Sequence, residues 1–574
     1  MSAVLEVREP GARYLSTLQP LLVREFDLMA TAPGGVGRLR ELILSLAVHG
    51  KLVPQDRNDE PAIESLLRTR RQKDRLVGEG SLKMQKADAL IANHETSVAL
   101  PTGWHWARLA DIVRVLNGRA YAKQELLETG PTPVLRVGNL FTSKHWYYSN
   151  LELEADKYCG PGDLLYAWSA SFGPFIWGGP KSIFHYHIWK LDPVAPEEFD
   201  SRYLHIFLTE KTAELKAAGH GVSMVHLTKE KMERIAVACP PLAEQARIFG
   251  RVEELMRLCD ALEAKGRLEA EQHARLLSAL LGTLTDSASP DELATNWQRV
   301  AAHFDLLLDR PEAVDALEQT ILQLAVRGLL VPRNPSDEQA RAFLDGVREK
   351  GAQKMSSKSG RSAGFISSQT TRREPFKLPV GWTWSALPDL CAITGGSTPS
   401  KAVASNWNGS IPWVSPKDMK VSDIVDAQDH VSHAAVTGSL SLIEAGSLLM
   451  VVRGMILVHS FPVASTRVPV TINQDMKALT PFEPAILPWL MLVCAGMKTE
   501  ILGLVERSTH GTCKLESPKI FGLAIPIPPL AEQGRIVARV ARLRRLCTDL
   551  RERLSASQTA QSRLAEALVE SAVA

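Results

Sequence analysis

Several features of membrane, secreted and motor proteins are missing from this sequence. No run of about 18 apolar residues is present, so no membrane-spanning helix is expected. The N-terminal MSAVLEVREP has no basic region followed by an apolar stretch, which argues against a secretory signal. No G-x-x-x-x-G-K-[ST] phosphate loop occurs, so we do not expect an ATP motor in the chain. These absences together predict a cytoplasmic protein.

Metal-ligating residues are scarce as well. The seven cysteines are scattered and form no C-x-x-C pair, so we interpret them as reduced structural residues. His185 and His187 have no Cys, Asp or Glu at ligand spacing. On a strand the two histidines would share a face, and a polar strand surface is a better interpretation than a zinc site. We therefore predict no metal site.

Length and charge set broad limits on the architecture. A chain of 574 residues is too long for one core and suggests roughly three to five packed units. The formal net charge is only +2, so any nucleic-acid surface must be local.

The chain is built twice. PPLAEQARIFGRVEELMRLCDALE, starting at Pro240, recurs 288 residues later as PPLAEQGRIVARVARLRRLCTDLRE, starting at Pro528. Upstream segments recur after 278 residues, as LPTGWHWARLADI at 100–112 and LPVGWTWSALPDL at 378–390. The C-terminal RLAEALVESAV resembles RLLSALLGTLT, which starts at Arg275. Joining the tail to the head would therefore complete the second repeat.

Each PPLAEQ copy predicts a long helix with one apolar seam, because apolar residues step by four and three. The seam comprises Ile248, Val252, Leu255 and Leu262 in the first copy and Ile536, Val540, Leu543 and Leu550 in the second, with Cys259 and Cys547 between them. We extend the second seam through Leu554, Ser557, Gln561, Leu564 and Leu568. About 38 helical residues would span roughly 57 Å. A shorter helix with Leu39, Ile43 and Leu46 on its apolar face precedes the first module, and its repeat precedes the second.

Between the helices lie two blocks of short strand-like runs separated by Gly, Pro, Ser and Asn. We predict an α+β protein with two β-rich globular domains, long antiparallel helices forming a coiled-coil-like spacer, and an internal pseudo-two-fold repeat. The predicted boundaries are 1–99 for an N-terminal helical region, 100–240 for the first β-rich domain, 241–345 for a central helical spacer, 346–375 for a linker, 376–527 for the second β-rich domain and 528–574 for a C-terminal spacer helix. The paired tryptophans of the GWxW motifs could stack on bases, but we favour a core or domain-edge role.

These motifs resemble the specificity subunit of Type I restriction–modification enzymes. LPxGWxW opens a module, NQDMKAL lies inside the second module, PIPPLAEQ closes it, and the whole unit is duplicated. The second module has the closer internal match, GSIPWVSPKDM at 409–419 and VTINQDMKAL at 470–479. The first module has TPVLRVGNL and HYHIWKL in comparable places.

The resemblance implies two target-recognition domains, each recognising half of a split site on double-stranded DNA. It also implies two methylation subunits and two restriction subunits as partners. The sequence has neither a Gly-rich cofactor loop nor an Asn/Asp-Pro-Pro-Tyr/Phe motif, so we predict no catalytic residues and no cofactor in this chain. S-adenosylmethionine, ATP and Mg are expected in the partner subunits.

DNA contact needs cationic side chains for phosphates and polar side chains for base edges. Two His-Gly loops and scattered basic residues of both blocks offer these groups. The candidates are Arg119, Arg136, Asn139, Lys144, His220 and Ser223 in the first block and Lys401, Asn406, Lys417, Arg453, Arg507, Thr509, His510 and Lys514 in the second.

Two other functions remain open at this point. A structural coiled-coil adaptor would share the helices but would not bind DNA selectively. A self-sufficient restriction or methylation enzyme would need the catalytic motifs that the sequence lacks.

Overall fold

The computed structural model describes residues 26–80, 91, 99–169, 173–218, 227–356, 374–438, 440–507 and 512–573. The chain divides into two compact units. Unit 1 comprises residues 1–269 and 558–574, and unit 2 comprises residues 270–557. Both contain helices and short strands, which confirms the predicted mixed composition.

The described helices range from single turns to two long helices of 44 residues. They are α1 Phe26–Thr31, α2 Gly35–Val48, α3 Ala62–Gly78, α4 Leu109–Ile112, α5 Val137–Phe141, α6 Ser201–Ala218, α7 Lys229–Glu233, α8 Leu242–Thr285, α9 Pro290–Ala301, α10 Phe304–Leu307, α11 Pro311–Val326, α12 Ala340–Ser356, α13 Leu387–Leu390, α14 His433–Gly438, α15 Leu487–Gly496, α16 Lys498–Leu502, α17 Ser517–Phe521 and α18 Leu530–Val573. We call α2 and α11 the first and second short helices, and α8 and α18 the first and second long helices.

The strands fall into two groups. The first module contains β1 His105–Arg108, β2 Val113–Asn117, β3 Thr132–Leu135, β4 Tyr147–Ser149, β5 Tyr158–Cys159, β6 Leu164–Ala167, β7 Gly173–Ile176, β8 Ser182–Phe184, β9 Ile188–Pro193 and β10 Ala236–Cys239. The second module contains β11 Thr383–Ser385, β12 Cys391–Gly395, β13 Ile411–Val414, β14 Asp423–Ile424, β15 Asp429–Val431, β16 Leu448–Val451, β17 Val463–Thr466, β18 Thr471–Ile472, β19 Met476–Pro481, β20 Val505–Arg507, β21 Cys513–Leu515 and β22 Ile525–Ile527.

The two ends of each module meet in a two-stranded antiparallel sheet, β1 with β10 and β11 with β22. Beside the first sheet, Trp104 is buried and its indole nitrogen donates to Glu244, 3.1 Å away. Beside the second, Trp382 donates to Glu532 across 3.2 Å. The LPxGWxW and PPLAEQ motifs therefore fasten the base of each module, and the core role expected for these tryptophans is confirmed.

Each module contains two larger sheets; the sheet that holds β2 is antiparallel, and the other three each include one parallel pair. In the first module the strand orders are β2-β9-β6-β7 and β4-β3-β8-β5. In the second module they are β12-β19-β16-β17-β14 and β15-β13-β18. Central strands such as β6 and β16 are buried along their whole length, as expected for strands covered on both faces.

A glycine follows the C-terminal end of each short helix. Gly50 has a φ of +66° and Gly328 a φ of +71°, in the left-handed region that favours glycine. A Cβ on Gly50 would lie 2.5 Å from Pro101 Cγ, and one on Gly328 would lie 2.6 Å from Pro379 Cγ. The absence of a side chain thus lets the LP of each LPxGWxW motif pack against the end of a short helix.

In unit 1 the first short helix lies beside part of each long helix. Arg40 pairs with Asp260 of the first long helix, 2.5 Å away. Arg38 pairs with Glu566 of the second long helix across 2.8 Å. Leu568 of the second long helix packs against the hydrophobic core of unit 1. The C-terminal tail therefore contributes to the unit that holds the N-terminal helices.

In unit 2 the second short helix has matching neighbours. Glu318 accepts hydrogen bonds from Arg544, at 2.7 Å, and from Arg551, at 2.8 Å. Leu277 and Leu281 of the first long helix belong to the core of this unit together with Leu317.

Burial agrees with the predicted seam along the first half of each long helix. Ile248, Val252, Ile536 and Val540 are buried, and the other predicted seam leucines, Leu255, Leu262, Leu543 and Leu550, are half-buried. Each long helix has 44 residues, so the estimate of about 38 was short.

The predicted continuation of the second seam is wrong at Ser557, Gln561 and Leu564, which are exposed. Ala565 is buried instead, and Ser562 is half-buried. A helix has 3.6 residues per turn, so a strict four-and-three pattern drifts around the helix over several turns. The buried side has moved by one residue near the C-terminus.

The predicted linker, 346–375, is wrong at its start. Helix α12 extends to Ser356 and buries Leu344 and Val347. Its repeat, α3, lies within the predicted N-terminal helical region, 1–99. Both helices are anchored through their first residue, since the Ala62 amide donates to the Gly103 carbonyl across 2.8 Å. Residues 357–373 lie outside the described residues.

Candidate DNA interface

Each module has a three-residue loop where the chain leaves one sheet and starts the other. Residues 185–187 connect β8 to β9, and residues 473–475 connect β18 to β19. The loops are 288 residues apart and are His-Tyr-His in the first module and Asn-Gln-Asp in the second. The middle residue, Tyr186 or Gln474, is exposed in both. We call these segments the crossing loops.

A glycine of the neighbouring segment fixes each crossing loop. A Cβ on Gly118 would lie 2.3 Å from the His185 carbonyl oxygen, and one on Gly396 would lie 1.9 Å from that of Asn473. Only glycine permits such close approach of two backbones. The crossing loops are therefore held by backbone contact, whichever side chains they carry.

Aromatic rings cluster around the first crossing loop. The Tyr186 ring lies 4.4 Å from that of His185 and 3.9 Å from that of His187, centroid to centroid. Trp168 lies 5.1 Å from His187 and donates its indole N–H to the Tyr186 carbonyl across 2.9 Å. The histidines thus sit at a turn, and the prediction of a polar strand face is wrong.

The two histidines are uncharged at neutral pH. Burial lowers the pKa of His185 to about 4, and repulsion from His187, when that ring is protonated, and from Arg136 contributes to the shift. Burial and the charge of Arg136 also lower the pKa of His187. A neutral imidazole has one donor and one acceptor nitrogen, so each ring can hydrogen-bond to either kind of group on a base edge.

The two predicted arginines of the first module differ in availability. Arg119 pairs with Glu125 across 2.7 Å and lies over the Tyr121 ring, so it is held within the module. Arg136 is exposed and lies 5.4 Å from the Tyr147 ring centroid. Its charge reaches both histidines of the crossing loop. Arg136 is therefore the better placed of the two for a phosphate.

The second crossing loop has polar and charged neighbours. The Arg453 amide donates to the Asp475 carbonyl across 3.2 Å, and the two side chains lie 3.8 Å apart. The backbones of Arg453 and Lys514, on β21, form an antiparallel β-bridge, which brings two predicted candidates together. The Thr398 hydroxyl donates a hydrogen bond to the side-chain oxygen of Gln474. This surface has no aromatic ring equivalent to Tyr186 at its exposed position.

A family model described as Type I restriction modification DNA specificity domain matches residues 101–272 and 379–557. The matches cover both modules and the long helix that follows each. The chain belongs to this family.

Specificity subunits are also the relatives of the chain as a whole. The EcoAI specificity subunit of Escherichia coli is 29% identical over 570 residues, which cover 94% of each chain. The EcoEI specificity subunit of the same species is 29% identical over 563 residues, again 94% of each. DNA sequence recognition in a Type I restriction–modification system is thus the function of this chain.

Solved structures of specificity subunits are more distant. The HsdS subunit from Thermoanaerobacter tengcongensis is 18% identical, covers 83% of this chain and 98% of its own length, and has a TM-score of 0.36. A chain solved for complex assembly and conformational transition of a type I R-M system has the same identity and coverages and a TM-score of 0.48.

The other candidate contacts of this specificity chain lie apart from the crossing loops in sequence. Asn139 is occupied by its own turn, since it accepts from the Arg136 amide at 3.1 Å and donates to the His145 carbonyl at 2.8 Å. Asn406 makes a longer bond, 3.4 Å, to the Ser400 carbonyl. Both asparagines therefore shape loops. The exposed candidates are Lys144, Lys401, Lys417 and Arg507. His220, Ser223, Thr509 and His510 lie outside the described residues.

Sequence reasoning missed Trp168, Tyr186 and Gln474. A signal was present, because HYHIWKL and NQDMKAL align over seven residues with the 288-residue shift of the long helices. His185 and His187 were interpreted as a polar strand surface or as metal ligands, and neither interpretation points to the tyrosine between them.

Within the described ranges, no group of three or more His, Cys, Asp or Glu is placed to hold a metal ion. Among the same residues, no helix is both long and apolar enough to span a membrane.

Proposed function

We propose that this specificity chain recognises a bipartite site on double-stranded DNA, with one half-site for each module. One observation carries the proposal: the two modules place crossing loops at equivalent positions but equip them with different side chains. Tyr186 and two neutral histidines offer different hydrogen-bond patterns from Gln474 and its charged neighbours. Two equivalent positions with unlike chemistry suit two unlike half-sites.

The residues of each surface divide by chemistry into base and phosphate contacts. Tyr186, His187 and Gln474 can donate to and accept from base edges, which carry sequence information. Arg136 and Lys514 supply the positive charge that phosphates require. Lys144, Lys401, Lys417 and Arg507 are additional phosphate candidates.

The helical segments are proposed to separate the two recognition domains. Regions 100–240 and 376–527 would recognise DNA, and regions 1–99, 241–345 and 528–574 would form an antiparallel, coiled-coil-like spacer. A helix of 44 residues extends roughly 66 Å at 1.5 Å per residue. That length is sufficient to hold two half-sites apart along a duplex.

We infer that the chain is non-catalytic and that partner subunits carry out adenine methylation and restriction. S-adenosylmethionine, ATP and Mg would bind to those partners. Exposed leucines recur on both long helices, as Leu258 with Leu546 and Leu276 with Leu564. Each pair is 288 residues apart, and each helix presents its two leucines 18 residues, or about five turns, apart on one face. Two like surfaces support two methylation subunits, each accompanied by a restriction subunit.

Mapping of methylated adenines in the source genome, with and without this gene, tests the proposal. Deletion should abolish methylation at one bipartite motif with a fixed non-specific gap. A purely structural adaptor predicts methylation at an unchanged motif. A continuous motif lost on deletion would contradict the assignment of one half-site to each module.

A further inference from the structure

The contact between short and long helix is built from the same apolar residues in both units. The shared residues are Leu39 and Leu317, Ile43 and Ile321, Ile248 and Ile536, Val252 and Val540, and Cys259 and Cys547. Apolar burial is non-directional, so these contacts do not distinguish one short helix from the other. Any discrimination must come from other residues along the same contact.

The ion pairs that flank this contact have opposite polarity in the two units. In unit 1 the short helix carries the cation, because Arg40 pairs with Glu263 of the first long helix across 3.1 Å. In unit 2 the short helix carries the anion, because Glu318 pairs with Arg551 of the second long helix across 2.8 Å. Arg40 and Glu318 are equivalent by the 278-residue shift, and Glu263 and Arg551 by the 288-residue shift. The same bridge occurs twice with its charges exchanged.

Neighbouring residues strengthen each polarity. In unit 1, Asp260 adds a second anion 2.5 Å from Arg40. In unit 2, Arg544 adds a second cation 2.7 Å from Glu318, and Asp315 adds a second anion 2.7 Å from Arg551. Four charged groups thus form a network in unit 2, and three in unit 1.

The central residues of the two networks, Glu318 and Arg40, are held in their charged forms. Burial would raise the pKa of Glu318, but hydrogen bonds from Arg551 and Arg544 lower it below the ordinary value. The hydrogen bond to Asp260 raises the pKa of Arg40. Glu318 is only 16% exposed, so its interactions are less screened by solvent than those of Glu263, which is 70% exposed.

An exchanged pairing would bring like charges together. The first short helix placed on the second long helix would set Arg40 against Arg544 and Arg551. The second short helix placed on the first long helix would set Glu318 against Asp260 and Glu263. The attractive contacts of Arg40 and Glu318 would thus be replaced by repulsive ones.

We propose that this reversed polarity is a pairing code, by which the N-terminal half of each long helix accepts the short helix of its own module and rejects that of the other. The code acts within one chain and between two copies of it, where the identical apolar residues would otherwise permit exchange. Each module is thereby flanked by helices that match each other. The proposal is independent of DNA binding.

Variants of the full chain test the code through stability first. Arg40→Glu should lower the unfolding temperature by ~2–4 °C, because it replaces two exposed ion pairs by repulsions. Adding Asp260→Thr and Glu263→Arg, the residue types that unit 2 has at these positions, should restore most of the loss. Adding Glu318→Arg to Arg40→Glu instead should restore nothing to the monomer, because it turns the bridges of Glu318 into repulsions as well. Equal recovery in both combinations would overturn the proposal.

Refolding from denaturant then tests the rejection of wrong partners. In a merged variant, Arg40→Glu, Met256→Arg, Asp260→Thr and Glu263→Arg give unit 1 the polarity of unit 2. The proposal predicts a several-fold larger fraction of exchanged dimers than for the wild type, measured by light scattering. Installing the unit 1 residues in unit 2 of the merged variant as well should return the fraction to the wild-type value. A merged variant that refolds with the wild-type fraction of dimers would falsify the code. Dimers formed by the doubly converted chain but not by the merged variant would also falsify it.

Discussion

Trp382 and Glu532 are hydrogen-bonded across 3.2 Å at the buried base of the second module. Trp104 and Glu244 form the same bond at the base of the first, across 3.1 Å. The partners are 150 residues apart in the second pair and 140 in the first. Each bond connects the start of a module to the helix that leaves it, so it closes the base of the module.

Trp382→Phe removes the indole donor and keeps most of the ring. We expect a loss of about 1–3 kcal/mol in the free energy of unfolding, since Glu532 is buried and would lose a hydrogen-bond partner. Urea denaturation measures the change. Trp384→Phe is the matched control, because this half-buried indole nitrogen has no protein acceptor among the described residues. Equal losses in the two variants would show that ring size, and not the hydrogen bond, is responsible.

Glu532→Gln should change how stability depends on pH. Burial raises the pKa of Glu532 in the folded chain, although the Trp382 hydrogen bond opposes the rise. The folded state then holds a proton more tightly than the unfolded state, so wild-type stability falls as pH rises from about 4.5 through the raised pKa. The glutamine variant lacks this loss, so its stability relative to the wild type should increase across that window and stay constant above it.

Denaturation of both proteins between pH 4 and 8 checks the sign. Glu483→Gln is a control of opposite sign, because a hydrogen bond from Lys350 lowers the pKa of Glu483. Its contribution is present above the ordinary pKa of about 4.5 and disappears as pH falls. Parallel curves for wild type and Glu532→Gln would contradict the raised pKa.

The repeated motifs carried most of the fold information in the sequence. The 278- and 288-residue shifts predicted the short helices, the long helices and the strands that open each module. The bond between Trp104 and Glu244 was not predictable, since spacing along the chain does not show which buried carboxylate will meet an indole 140 residues away. Helix α12 was missed because Leu344 and Val347 are sparse apolar residues in a polar stretch.

The site was less predictable than the fold. Arg119 and Arg136 look equivalent in the sequence, yet an ion pair with Glu125 holds the Arg119 side chain within the module, whereas Arg136 is exposed. The exposure of Tyr186 depends on two sheets meeting at its loop, and no local pattern specifies that arrangement.

Substitution by Asp should affect stability differently at two leucines that lie one turn apart on the second long helix. Leu543 packs partly buried against the core of unit 2, whereas Leu546 is 57% exposed. Leu543→Asp places a charge in an apolar contact, and we expect a loss of about 2 kcal/mol or more. Leu546→Asp should leave the free energy of unfolding within about 0.5 kcal/mol of the wild type.

Assembly with the partner subunits separates the two effects further. If the exposed leucines contact the methylation subunits, Leu546→Asp should weaken complex formation without changing the recognised motif. Thermal unfolding and co-purification measure both properties. Equal destabilisation by the two variants would show that the burial assigned to this helix is wrong.

Tyr186→Ala should relax recognition of one half-site only. Loss of a base contact costs about 1–3 kcal/mol of discrimination at that position, and Gln474 still serves the other half. The methylated-adenine motif should therefore become degenerate at a position in one half while the gap and the other half persist. Tyr158→Phe is the control, since that hydroxyl bonds to backbone atoms of Leu151 and Leu153.

Arg136→Ala should give a different phenotype in the same module. Loss of a phosphate contact weakens binding to all sequences alike and reduces the slope of log affinity against log salt concentration by about 0.9. The motif should be unchanged, because phosphate contacts position the protein without carrying base identity. Titrations of specific and unrelated duplexes at several salt concentrations measure both slopes. A motif altered by Arg136→Ala, with the salt slope unchanged, would mean that this arginine contacts a base, and the division between Tyr186 and Arg136 would then be reversed.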